Sequence, residues 1–179
     1  MKTYTLKVAG LTRELPLCPV SDDLEIAAFI MLSDVELTVK TAEELLKLCP
    51  EFDVILTAET KGIPIAYEMA RQSGMPYVVG RKSLKFYMTD PISVKVKSIT
   101  TANVQTLCLS QEHIAMIKGK RVLIVDDVIS TGESLIALEK LVHAAEGIIV
   151  GKAAVLAEGE SADRDDIIFL EKLPTFPKK

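Results

Sequence analysis

Residues 122–134 read Val-Leu-Ile-Val-Asp-Asp-Val-Ile-Ser-Thr-Gly-Glu-Ser, and no other stretch constrains the fold as tightly. The short, β-branched apolar run 122–125 suits a strand buried on both faces of a parallel sheet, with the chain leaving the strand at Asp126. The small-residue loop 130–134 then opens a helix that carries Leu135, Leu138 and Val142 on its apolar face and stops at Gly147. The first N–H groups of a helix have no partner inside it, so such a turn is an anion site. Ser130, Thr131 and Ser134 add hydroxyl groups to it, and Gly132 allows close approach of the backbone. Asp126 and Asp127 repel an anion, but they can accept hydrogen bonds from vicinal hydroxyls or hold a divalent cation. Strand, paired acids and anion loop in this order predict a site for a sugar phosphate.

The chain has 179 residues with no Ser/Gly-rich or charge-block linker, which predicts a single α/β domain over 1–179. A formal net charge of −4, with Lys and Arg scattered, argues against nucleic acid as the main partner. No apolar stretch is long enough to span a bilayer, and Met1-Lys2-Thr3-Tyr4 leads into no signal-peptide core, so a cytoplasmic location is expected. Cys18, Cys49 and Cys108 are odd in number and lack metal spacing, which makes them small apolar residues in this reading.

Along the chain, Ser21 with Asp22 and Asp23 predicts a capped helix through Leu24, Ala28 and Met31. A second helix is expected over 39–48, with Leu45, Leu46 and Leu48 facing the core. Strand 54–57, helix 63–72 and strand 77–79 follow, then strand 122–125, a helix to Glu146 and strand 148–156. This alternation predicts a mostly parallel central sheet flanked by helices on both faces. The interval 83–118 is too long for an ordinary connection. It holds two alternating segments, 92–100 and 104–110, across Thr101-Ala102-Asn103, which predicts an inserted β-hairpin.

The 122–134 stretch resembles the phosphoribosyl-pyrophosphate (PRPP) signature of the type I phosphoribosyltransferases: four apolar residues, two acids, two apolar residues, then a small loop with Thr-Gly. The resemblance implies that Asp126 and Asp127 contact the ribose 2- and 3-hydroxyls and hold Mg2+. It also implies that Ser130, Thr131, Gly132, Glu133 and Ser134 cradle the 5-phosphate. Glu133 stands where many members have Gly, so it should contribute only its backbone N–H. No P-loop exists in the chain, and the acidic pair comes too late for a receiver domain.

A second loop, Glu59-Thr60-Lys61-Gly62 ahead of Ile63-Pro64, also ends at a helix start, beside a cation. It resembles the family's pyrophosphate loop. Arg81, Lys82 and Lys85 match residues that bind diphosphate in the family, sometimes in the neighbouring subunit, which implies a homodimer. The hairpin, about 83–111, corresponds to a mobile flap, or else to an edge hairpin that extends the sheet or packs on a partner subunit. A small hood is implied over 1–36 and 157–179.

Ser130 stands where hypoxanthine-guanine members carry Asp, and the orotate-type His-Gly-Glu-Gly-Gly flap is missing although Arg81 to Lys85 satisfies Arg-Lys-x-x-Lys. Adenine and xanthine enzymes remain. The base pocket is expected between 17–23 and 158–164, with Glu158 reading a purine edge. His113 and His143 are expected to have no catalytic role. The resemblance thus implies a purine phosphoribosyltransferase, adenine first and xanthine next, acting on PRPP with release of pyrophosphate and without nucleic acid or membrane. The alternative is a PRPP- or nucleotide-binding regulator. Lys61-Gly62-Ile63-Pro64 also resembles the purine-operon repressor's effector domain, although the region before Phe52 is too short and acidic for a DNA-binding head.

Overall fold

The computed structural model describes residues 2–97 and 104–178. Strands β1 (Thr3–Val8), β2 (Leu11–Pro19) and β3 (Leu24–Ala27) lead into helix α1 (Val35–Leu48). Strand β4 (Val54–Ala58), helix α2 (Ile63–Ser73) and strand β5 (Tyr77–Gly80) come next. The hairpin β6 (Ile92–Lys97) and β7 (Val104–Leu109) precedes helix α3 (Gln111–Ile117). Strand β8 (Arg121–Ile129), helix α4 (Glu133–Ala144), strand β9 (Ile148–Glu158) and a 3-10 turn (Gly159–Asp163) are followed by β10 (Ile168–Leu173) and β11 (Thr175–Pro177).

Five strands form the central sheet in the order β10-β9-β8-β4-β5, and every pairing in it is parallel. Its central strands are apolar because both faces are covered. Leu123 and Val125 of β8 pack with Leu37 and Leu45 of α1 and Ile65 and Met69 of α2. Val122 and Ile124 pack with Leu135, Leu138 and Leu141 of α4 on the opposite face. A second sheet, β1-β2-β3-β11, is antiparallel and joins the two ends of the chain through Thr175↔Ile26. Arg13 on β2 ties this sheet to α1, bonding Asp34 at 2.7 Å and Glu36 at 2.8 Å.

The α/β architecture predicted from the alternation of elements is present, with several corrections. The helix expected from Ser21 through Met31 is instead a turn followed by β3. Val20 N–H donates to the Leu24 carbonyl at 3.0 Å, so Ser21-Asp22-Asp23 turns the chain between two strands. Polar residues of this kind serve a turn as readily as a helix cap. Helix α1 starts at Val35, capped by Asp34, whose carboxylate accepts from Leu37 N–H at 3.0 Å. Its buried face is Leu37, Thr41 and Leu45 at one-turn spacing, which leaves Leu46 half-buried and Leu48 exposed.

The chain does not leave its strand at Asp126, because β8 continues to Ile129 against β9. The connection 111–117 is helical, and the strands β1, β2, β10 and β11 add to those that the alternation predicts. The predicted hairpin is present, although the Thr101-Ala102-Asn103 turn lies outside the described residues. One pair of backbone bonds, Arg81 with Cys108 at 3.0 and 2.8 Å, joins the hairpin to the residue that follows β5. Among the described residues all three cysteines are free, and burial pushes the Cys49 thiol up to about 11.

Leu141 is fully buried on α4, with its Cδ2 3.1 Å from the position a β-carbon on Gly80 would take. Leu141→Ala should therefore cost about 2–5 kcal/mol in urea unfolding. Leu48→Ala, on a side chain standing in water, should change stability by no more than about 0.5 kcal/mol.

Candidate active site

Strands β4 and β8 pair from Val54↔Val122 to Leu56↔Ile124 and no further. Beyond that point β8 keeps only β9, through Asp126↔Ala154 to Ile129↔Ala157. The parted ends open a cleft of about 810 Å³ at the carboxyl edge of the sheet. Period-2 alternation is interrupted here, since Val128 packs with the layer of Leu123 while Ile129 packs with that of Val122. Both acids thus line the cleft.

Asp127 is 3% exposed, and its N–H donates to Asp126 Oδ1 at 2.9 Å. Its Oδ2 is buried without a hydrogen bond, and Lys61 Nζ stands 3.4 Å away. Burial, and then the neighbouring Asp127 charge, raise the Asp126 pKa well above the ordinary carboxylate range. Burial also raises that of Glu158, which Lys61 partly offsets.

The loop after β4 enters α2 at Gly62, whose carbonyl accepts the helical bond of Ala66 N–H at 3.1 Å. Glu59, Thr60 and Lys61 line the cleft, and the Glu59–Thr60 peptide is cis. A β-carbon on Gly62 would overlap Thr57 Oγ1 and come within 2.8 Å of Asp126 Oδ1. Glycine is therefore fixed here by crowding. The Glu59 carboxylate accepts from Lys82 N–H at 3.0 Å and Arg81 Nε at 3.3 Å, contacts that hold its pKa below the usual range. Of the three expected basic residues only Lys82 lines the cleft, while Arg81 is paired with Glu59 and Lys85 donates to Ser83 Oγ at 2.8 Å.

On the far side of the acids Gly132 takes the left-handed conformation, φ 79°, and caps α4. The helix ladder begins with Ile136 N–H to the Gly132 carbonyl at 2.9 Å, so the N–H groups of the first turn lie outside it. Ser130 and Ser134 line the cleft, and Thr131, Gly132 and Glu133 complete the turn. The Ser161 hydroxyl, from the 3-10 turn, donates to the Ser130 carbonyl.

The remaining walls differ from expectation in part. Glu158 faces the cleft, but the other wall is Ile26, Ala27, Ala28, Phe29 and Ile30 in place of 17–23. The reason is the β2–β3 turn, which carries 20–23 away from the cleft and brings the end of β3 to it. Residues 104–107 of β7 close the opposite side. His113 bonds Ser110 Oγ at 3.1 Å in α3, and His143 lies exposed near the end of α4; neither lines the cleft. Sequence reasoning missed Thr57 and Phe29, and it had Ser161 and Arg164 only as unassigned members of the expected 158–164 wall. Thr57 alone left a trace, as a hydroxyl in an apolar strand just before the loop.

A model of the phosphoribosyl transferase domain matches residues 38–176. The purine biosynthesis transcriptional repressor of Bacillus subtilis is 32% identical over 72% of this chain, which spans 45% of the repressor. A hypoxanthine/guanine phosphoribosyltransferase of Methanococcus voltae is 33% identical over 82% of this chain and 72% of its own length. The adenine phosphoribosyltransferase structure from Thermoanaerobacter pseudethanolicus superposes with a TM-score of 0.73 at 24% identity, covering 88% of this chain and 95% of that one. That likeness concerns the fold. With a matching domain over most of its length and a relative aligned over most of both sequences, the chain belongs to the type I phosphoribosyltransferase family.

Proposed function

We propose that the protein is a purine phosphoribosyltransferase, acting on adenine first and xanthine second, that joins a purine nitrogen to C1 of PRPP and releases pyrophosphate. The observation that carries this reading is one cleft holding a cation-bearing helix-start loop, a buried carboxylate pair and a hydroxyl-bearing helix-start loop. Ribose hydroxyls donate to Asp126 and Asp127. Glu133 adds its backbone N–H to the 5-phosphate loop. Thr60, Lys61, Gly62 and Lys82 take the leaving diphosphate, with Glu59 holding Arg81 and Lys82 in place. Binding of the unreactive 5-phosphate fixes C1 against the base, so remote contacts lower the barrier at the reacting bond. As that bond breaks, negative charge grows on the diphosphate beside Lys61 and the N–H groups opening α2.

The carboxylate pair fits a magnesium ion, because Asp127 Oδ2 is an unused buried acceptor. Among the described residues no group of three or more His, Cys, Asp or Glu could complete a protein-only site, so phosphate and water oxygens would fill the remaining positions. When bound, the metal supplies charge neutralisation on the leaving group. The base lies between Phe29, Ile30 and Val128, with Glu158 accepting from an exocyclic amine. The working assembly is a cytoplasmic homodimer, the hairpin serves as flap, and the β1-β2-β3-β11 sheet serves as hood.

Pyrophosphate release from PRPP with magnesium and each of adenine, xanthine, hypoxanthine and guanine tests the proposal. Release with adenine is the expected result, whereas tight PRPP binding with no release for any base would favour the regulator. Glu158→Gln should shift preference from 6-amino toward 6-oxo bases, read as the ratio of their kcat/KM values. Gly62→Ala, with its β-carbon against Thr57 and Asp126, should cut PRPP turnover by about a hundredfold through misplacement of the loop.

A further prediction concerns pH. The folded protein binds a proton at Asp126 more tightly than the unfolded chain does, so stability falls as pH rises from the ordinary carboxylate range up to the raised pKa. Asp127→Asn removes the like charge. The variant should melt above the native protein at pH 8, with the gap closing toward pH 4, while its PRPP turnover falls. Equal pH slopes for the two proteins would count against a repelling pair.

A further inference from the structure

We infer that Arg164 is a ligand of the 5-phosphate, a role that rests on the phosphoribosyl reading above. Its Nη1 lies 3.0 Å from the position that a β-carbon on Gly132 would take, which sets the guanidinium against the turn opening α4. The other two nitrogens are committed elsewhere: Nε and Nη2 bond the two oxygens of Asp166 at 2.8 and 2.7 Å. Nη1 is left out of that pair.

The guanidinium is also held in register with the loop it faces. Asp166 accepts from Lys152 Nζ at 2.6 Å, and Lys152 donates to Glu139 of α4 at 2.8 Å. The chain of ion pairs therefore leaves α4 at Glu139 and returns to the first turn of the same helix through Arg164. The Ser161 hydroxyl on the Ser130 carbonyl makes a second link between this segment and the loop. Two cations and two anions make up the network, so its formal charge is zero and the arginine is fixed without a net field of its own.

The charge layout of the cleft gives this arginine a purpose. Asp126, Asp127 and Glu158 all line the cleft, and their field opposes a phosphomonoester dianion. Lys61 and Lys82 stand at the diphosphate loop, on the other side of the acids. A cation held against Gly132 offsets the repulsion where the 5-phosphate arrives, and a guanidinium edge matches phosphate geometry. The same contact means that an aspartate at 132 would pair with Arg164 internally and occupy the phosphate position.

The test is isothermal titration of the 179-residue chain with two probes. One is whichever of AMP, XMP and GMP the native protein binds tightest, and the other is inorganic pyrophosphate, which carries no 5-phosphate. Arg164→Met should weaken the nucleotide about ten- to hundredfold, the range for a charged hydrogen bond, and leave pyrophosphate within about twofold. Arg164→Lys keeps the cation and should recover part of the loss. Asp166→Asn, which frees the guanidinium, should show a smaller loss with the same selectivity. An unchanged nucleotide affinity in Arg164→Met, or equal losses for both probes, would overturn the assignment while the phosphoribosyl reading stands. Failure of the native protein to bind any of the three nucleotides or PRPP would overturn both.

Discussion

The parting of β4 from β8 after Leu56 and Ile124 is the constraint on which the site depends. A parallel sheet buried on both faces leaves no room for polar groups until two neighbouring strands diverge. Here β8 keeps a partner through Ile129 by holding to β9, so its backbone is paired while its acids face an opening. Strand β4 turns away, and Glu59 N–H closes on the Gly80 carbonyl at 2.9 Å. Thr57, Gly62 and Asp126 crowd the fork, and the lack of a side chain at Gly62 lets them fit. Helices α2 and α4 both begin at this edge, so two sets of helix-start N–H groups flank the same pair of acids.

Burying two adjacent carboxylates is unfavourable, and it raises the proton affinity of Asp126. Lys61 relieves part of the repulsion from an exposed position, where water screens it. On the proposed reading, ribose hydroxyls and a divalent cation relieve the remainder when substrate enters. The site is then less stable empty than filled, which ties binding to the same charges that weaken the free protein.

The central sheet was legible because its strands carry continuous apolar runs, as in Val122 to Val125, that few other structures accommodate. The acids and both helix-start loops were legible for a related reason: Gly132 and Gly62 mark turns whose local chemistry is unambiguous. The antiparallel sheet was harder. Tyr4, Leu6 and Val8 do alternate, and Ala9-Gly10 turns the chain with both φ positive, but the signal is short and lies beside Pro-containing β2. Ser21-Asp22-Asp23 has the chemistry of a helix cap and of a strand turn alike, and pairing of β3 with β2 and β11 decided between them. Arg164 fell within the expected 158–164 wall, but its place at the phosphate turn was invisible for a different reason. In sequence it is a charge among acids, Asp163, Asp165 and Asp166, and its position against Gly132 arises from its pair with Asp166, which Lys152 of β9 links in turn to Glu139 of α4.

Those same N-terminal strands build one wall of the cleft. Here β3 runs directly into Ala28, Phe29 and Ile30, which form a cleft wall, and Phe29 is buried as it does so. The opposite edge of β3 is paired by β11 from the other end of the chain, so the wall is braced from both termini of the domain. Glu158 and Leu173 complete that side. This side of the cleft is thus braced by a sheet drawn from both ends of the sequence, so its shape is set by strand pairing and not by one loop.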